Sequence, residues 1–140
     1  MLSQKTRYAL KAMIALAGAG PGSALSIGDI AKQQNVPHKF LEAILLELKR
    51  QGLVHSLRGR TGGYLLARPA GEISFGQIVR VMQGPLALLP CVSLTAYRRC
   101  EECAAEERCE IRGVMQRARD AISAVLDSTS LADALRAAGR

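Results

Sequence analysis

Four cysteines fall within 19 residues and none elsewhere, in the spacing Cys91-x8-Cys100-x2-Cys103-x5-Cys109. Thiolates are soft ligands suited to iron–sulfur clusters, zinc and copper(I). Four can complete a tetrahedral zinc site, and three or four can hold an iron–sulfur cluster. The pattern is not that of two CxxC knuckles, because Cys91 and Cys109 are solitary. Glu101, Glu102, Glu106, Glu107 and Glu110 crowd the thiols, with Arg98, Arg99 and Arg108 among them. Neighbouring carboxylates keep thiols protonated, which disfavours a free nucleophilic cysteine. Cys100 and Cys103 could form a redox pair, but no thioredoxin-like βαβ pattern surrounds them, so the chain is not expected to be an enzyme.

A second chemistry is written in the charge. The net charge is +7, yet the last 70 residues hold nine arginines against nine carboxylates. The whole excess lies in the first 70, where ten Lys and Arg face three Asp and Glu. A basic half beside a neutral half suggests a polyanion-binding module joined to a part with another task. Its sharpest feature is Arg58-Gly59-Arg60-Thr61-Gly62-Gly63, two guanidinium forks on a glycine scaffold that lets backbone come close to a nucleic acid.

These groups need elements to position them. Ser3 is placed to cap a helix over 3–18, with Tyr8, Ala9, Ala12, Met13 and Leu16 at helical spacing. Lys5, Arg7 and Lys11 before Ala12–Ala19 loosely imitate a signal peptide, but the apolar run is short, and an amphipathic helix of a cytoplasmic protein is expected. Nothing is long enough to span a membrane. Ser26, with Asp29 three residues on, opens a helix with apolar face Ile27, Ile30 and Ala31. Asn35 and Val36 form a turn, and Pro37 suits the first position of the next helix. There Phe40, Leu41, Ile44, Leu45 and Leu48 are expected to be core, out to Gln51, with Gly52 ending the helix. Leu53–Leu57 and Tyr64–Ala67 read as the strands of a hairpin. Ser74 caps a helix over 75–83, an irregular segment carries the cysteines, a long amphipathic helix covers 109–127, and Ser130 caps a last helix to Ala138.

Helix, helix, short turn, helix and β-hairpin define a winged helix-turn-helix, in a mainly α chain with a long C-terminal dimerisation helix. Three regions are expected: a DNA-binding domain (1–83), a cysteine-rich sensor segment (84–108) and the dimerisation and C-terminal helices (109–140). His38, Lys39 and Glu42 would face the major groove of double-stranded DNA, with Ala43 and Glu47 on the same side. Arg58, Arg60, Thr61, Gly62 and Gly63 would form the wing contact. The stripe Ile111, Val114, Met115, Ala118, Ala121, Ile122, Val125 and Leu126 would pair with a second copy through 109–127, giving a homodimer. The alternative is that it folds back on its own domain.

The residues resemble the Rrf2 family of bacterial winged-helix regulators across nearly the whole chain. The similarity is carried by Lys5–Leu10, Ile27–Ala31, Val36–Leu41, Leu126-Asp127 and Ser130–Asp133, and most specifically by the wing Leu57–Leu66. It implies a transcription regulator, expected to be a repressor, sensing iron, redox or nitric oxide status through a 2Fe–2S or 4Fe–4S cluster. The family's cluster regulators carry three cysteines, the last at the start of the dimer helix, and Cys91, Cys103 and Cys109 fit those roles. The resemblance departs at the fourth ligand. Where one branch has a His this chain has Arg112, and where another has an acidic residue from the partner's first helix it has Arg7. Cys100 is extra and could serve, or water or an added ligand could. The alternatives are a structural zinc, a thiol redox switch, or a metabolite-responsive regulator with no cofactor.

Overall fold

In the computed structural model, which describes residues Met1–Arg140, serine hydroxyls start four of the six α-helices. Ser3 caps α1 (Gln4–Gly18) and Ser26 caps α2 (Ile27–Gln34), each accepting from the N–H three residues on, at 3.1 and 3.0 Å. Ser74 and Ser130 go further, forming reciprocal capping boxes with Gln77 and Asp133 at the heads of α4 (Phe75–Gln83) and α6 (Leu131–Ala137). Each cap contributes about 1 kcal/mol by satisfying otherwise unpaired backbone donors. Asp29 supplies only its backbone N–H, so no box forms at α2.

The turn between α2 and α3 (His38–Arg50) is made by Asn35, the one non-glycine residue in the left-handed region (φ 52°). Pro37 is not the first helical residue expected from the sequence. Its ψ of 132° leaves it outside as the N-cap, where its carbonyl accepts the Phe40 N–H at 3.2 Å. Gly52, at φ 76°, ends α3 as expected.

The core forms around α1, which packs against α2, α3, α4 and α6. Ala9, Ala12 and Ala15 allow the neighbouring helices to approach, and Met13 and Leu16 fill the space between them. Ile30, Val36, Leu41, Ile44, Leu45, Leu48, Ile78 and Leu131 close around them, so the core is wholly aliphatic. Each such side chain stabilises the fold by about 1.5–3 kcal/mol. Phe40 departs from its expected core position. It is 39% exposed, because the first turn of α3 projects from the body, and it lies at the margin against Tyr8 with ring centroids 5.7 Å apart.

β1 (Val54–Leu57) and β2 (Gly63–Leu66) form an antiparallel hairpin in the register Val54↔Leu66 to Leu57↔Gly63. Leu25, just before α2, adds a third edge by exchanging both backbone hydrogen bonds with Tyr64 at 2.9 and 2.8 Å.

The long helix α5 spans Arg112–Ser128, three residues later than expected. Cys109 therefore does not begin it. The Cys109 N–H is already committed to the Glu106 carbonyl, closing a 3₁₀ turn over Glu106–Arg108, and its backbone is extended (ψ 118°). The helix folds onto its own chain and also keeps a free face. Met115, Ile122 and Leu126 are half-buried, while Ile111, just ahead of it, Val114, Ala121 and Val125 stay exposed. Its C-terminal end is held to α4 by Arg80 Nη1 and Nη2 donating to both oxygens of Asp127, at 2.6 and 2.9 Å. The buried Gly76 makes room for this pair, since a Cβ there would overlap the Asp127 carboxylate.

The hydrogen bond from Arg80 holds the Asp127 carboxyl below its ordinary range. A depressed carboxylate pKa contributes stability above the unfolded value and loses it as pH falls through the folded one. Both partners are more than a third exposed, so the effect is small. Asp127→Asn should lower stability at pH 7 by under ~1 kcal/mol. In urea titrations across pH, its midpoint should converge with that of the native chain once the carboxylate is protonated.

Candidate functional site

Two surfaces carry the chemistry. The first is the basic face of the winged unit. His38, Lys39 and Glu42 are exposed on the first two turns of α3, as the helical spacing requires. His38 Nδ1 lies 3.8 Å from Glu42 Oε1, and Lys39 Nζ sits 5.1 Å above the Phe40 ring. Glu47 does not share this side. It turns inward and pairs with Lys5 of α1 at 2.7 Å, which removes a carboxylate from a surface that would face phosphates. Exposed Leu46 completes the outer side of α3, a position that the periodicity left unassigned.

At the wing tip Arg58, Arg60 and Thr61 are exposed, and neither arginine enters an ion pair of the chain. Gly62 and Gly63 are the structural part of the wing. The Gly62 N–H closes a turn onto the Gly59 carbonyl at 3.0 Å. Gly63 adopts φ 152° and packs directly on the Leu25 backbone, where a Cβ would run into the Leu25 carbonyl. The hairpin is thereby anchored beside the start of α2, while its arginines project freely.

The second surface is a cavity of about 650 Å³ at the foot of α5. All four cysteines line it, together with Arg98, Arg99, Arg112 and Glu106. Cys91 is buried on a 3₁₀ turn (Pro90–Val92), Cys103 and Cys109 are half-buried, and Cys100 is exposed. The Cys100 thiol donates to Glu102 at 3.0 Å, and that hydrogen bond raises its pKa while lowering that of Glu102. No three His, Cys, Asp or Glu side chains converge as a closed metal cage. The donor set nevertheless fits a thiolate-bound metal or cluster: four soft ligands around one space of ample size, with guanidinium groups on its wall to offset their charge.

Arginines of α5 tie this cavity to the long helix. Arg119 Nη1 donates to the Val92 carbonyl at 2.7 Å and Arg112 Nη2 to the Cys91 carbonyl at 3.5 Å. Arg112 also faces Glu106 at 4.0 Å, and Glu106 accepts the Tyr97 hydroxyl. Sequence reasoning did not find these arginine clamps. Their partners are backbone carbonyls 21 and 27 residues away, and carbonyls leave no mark on residue type.

Fold and basic face define a winged helix-turn-helix protein of the kind that regulates transcription on DNA. The chain matches the Rrf2 family, described as "Iron-dependent Transcriptional regulator", over residues 2–137, and it belongs to that family. It is 41% identical over 140 residues to an Rrf2-like HTH-type transcriptional regulator of Rhodobacter capsulatus, covering 98% of this chain and 93% of that one. It is 32% identical over 134 residues to the transcriptional regulator NsrR of Geobacillus kaustophilus (96% and 88% covered). Among solved structures, CymR, the global cysteine regulator of B. subtilis, superposes with a TM-score of 0.78 at 34% identity, covering 95% and 94% of the two chains. T. potens IscR does so with 0.78 at 31% identity, covering 99% and 88%. The curated relatives are described as HTH-type regulators of transcription. No helix is long and apolar enough to cross a membrane.

The glycine geometry can be tested. Gly59 also has a positive φ (104°), but a Cβ there meets nothing. Gly63→Ala should destabilise the protein by roughly 2 kcal/mol or more, from backbone strain plus the clash with Leu25. Gly59→Ala should cost less, and urea midpoints of the two variants would show the order.

Proposed function

We propose that the chain is a cytoplasmic, homodimeric repressor whose affinity for a double-stranded DNA operator is set by an iron–sulfur cluster on Cys91, Cys103 and Cys109. The observation that carries this reading is that every cysteine of the chain lines one cavity at the foot of α5. The chain also belongs to a family described as iron-dependent. On this reading residues 1–83 read DNA, 84–108 sense, and α5 joins the two copies through its exposed stripe of Ile111, Val114, Ala121 and Val125.

On the DNA side, α3 would lie in the major groove, with Lys39 donating to guanine or phosphate and Glu42 accepting from a cytosine amino group. His38 would contact phosphate. Arg58 and Arg60 would enter the adjacent minor groove or grip the backbone, with Thr61, Gly62 and Gly63 allowing close approach.

On the sensing side, a bound cluster supplies a crosslink among thiolates that oxidants, nitric oxide or iron shortage can break. The chain's own residues carry the consequence. Cys91 and Val92 share a turn whose carbonyls are held by Arg112 and Arg119 of α5. Drawing Cys91, Cys103 and Cys109 together fixes that turn against the helix, and releasing them frees it. Because α5 also carries the partner, this biases the relative tilt of two winged units, a shift between dimer geometries.

Kept anaerobic, the purified protein should be coloured, should contain iron and sulfide, and should change its operator affinity on cluster loss. A colourless, iron-free protein with full, redox-independent affinity would refute the reading, and zinc in its place would favour a structural site. On DNA, Arg58→Ala and Arg60→Ala should weaken binding to the fragment that the native protein selects from random sequence, with unchanged circular dichroism. Each should reduce the salt slope of binding by about one unit. Unchanged affinity in both would remove the wing from the interface.

A further inference from the structure

We infer that Cys100 is the fourth protein ligand of the metal centre, so that the site is closed by four thiolates of a single chain. This rests on reading the cavity as a metal site, whichever metal or cluster occupies it.

The chain has two histidines, His38 on α3 and His55 on β1, and neither lines the cavity. Arg112 is cationic at any relevant pH and cannot ligate. Glu106 is engaged by Arg112 and by the Tyr97 hydroxyl. The remaining carboxylates of the wall, Glu101 and Glu102, are hard donors that soft metals accept less readily than thiolate. Cys100 is the remaining soft donor.

Its backbone setting suits the role. The Cys103 N–H donates to the Cys100 carbonyl at 3.2 Å, closing a tight turn that keeps the two cysteines together. Arg99 Nη2 donates to the carbonyls of Cys103 and Ala104 at 3.2 and 3.3 Å, holding the return of the same loop. The exposed thiol needs only to leave Glu102 and turn to the cavity that it already borders. Binding then exchanges four thiol protons, released to solvent, for four metal–sulfur bonds. A dicationic centre on four thiolates is left with a double negative charge, and Arg98, Arg99 and Arg112 stand on the wall to balance it.

Cobalt(II) counts thiolates directly, because its near-ultraviolet charge-transfer absorbance grows with each sulfur bound. Reduced, metal-free full-length protein titrated anaerobically with cobalt(II) should bind one ion with tetrahedral visible bands. Cys100→Ser should lose about one quarter of the charge-transfer intensity, one ligand in four. Cys100→His should keep the tetrahedral bands at the same reduced intensity, since imidazole restores the coordination number but not the sulfur. Glu102→Gln should retain full intensity. Equal intensity in Cys100→Ser and the native protein overturns the assignment. The two readings separate cleanly. A protein that shows the Cys100-dependent quarter but purifies without iron and sulfide keeps the four-cysteine site and loses the cluster. A protein that carries iron and sulfide while Cys100→Ser leaves both the cobalt intensity and the iron content unchanged keeps the cluster and loses Cys100.

Discussion

The packing of four helices on α1 is the constraint on which the rest of the structure depends. Small residues at 9, 12 and 15 let α2, α3, α4 and α6 close on one helix, and Met13 and Leu16 fill the angles between them. Close-packed protein interiors do not deform continuously. The helix-turn-helix is therefore a rigid body, and α3 presents its first turns at a fixed attitude. Leu131 of α6 belongs to the same core, so the chain beyond α5 returns to the winged unit instead of leaving it. Movement, if the protein uses any, must arise at the margins of this body, where the wing and α5 attach.

The two margins are attached differently. The wing is fixed by backbone, through the paired hydrogen bonds of Leu25 with Tyr64 and the close seating of Gly63. Such a contact holds position whatever the side chains do, which suits the proposed role of a loop whose arginines would meet phosphates. The helix α5 is fixed by side chains: an Arg80–Asp127 pair at one end, Arg119 and Arg112 on carbonyls of the cysteine turn at the other, and a half-buried apolar face between. The Arg80–Asp127 pair is exposed and the arginine–carbonyl bonds are only partly buried, so each contact is modest by itself. An attachment made of several weak contacts can be biased by one strong bond nearby, and the metal–thiolate bonds proposed at Cys91 would be of that strength.

How far the sequence could be read depends on what kind of contact set each feature. Helices, caps and the hairpin were legible because periodicity, serine caps and glycine positions act locally: Ser3, Ser26, Ser74, Ser130 and Gly52 all do what their types imply. The misreadings lie where periodicity is overruled, by a distant part of the chain or by a competing local turn. Glu47 has the spacing of the groove-facing side, but Lys5 on another helix claims it. Phe40 has the apolar repeat of the core, but the first turn of α3 overhangs the body and leaves it at the rim. Cys109 has a helical neighbourhood in sequence, but its N–H closes a 3₁₀ turn and delays α5. That the cysteines share one space with arginines was foreshadowed by their clustering, whereas the grip of Arg112 and Arg119 on the turn beneath it was not.

The position of α5 bears on a choice that its sequence leaves open, between folding back on its own domain and meeting a second copy: the helix packs on its own domain and keeps an exposed apolar edge. Its apolar residues are too many for one face. Met115, Ile122 and Leu126 are half-buried against the chain's own body, and Val114, Ala121 and Val125 lie roughly 100° further round the helix and stay exposed, with Ile111 just ahead of them. The backbone of the helix is stiff over its 17 residues, so a shift at one edge of this stripe moves the other. Arg112 and Arg119 of the helix hold the turn that carries Cys91, and on the proposed reading the exposed edge would meet the second copy. On that reading, a change in how the four thiols are held would reach the subunit contact through this one helix. That short path, and not any feature of the winged face, is where the proposed control would reside.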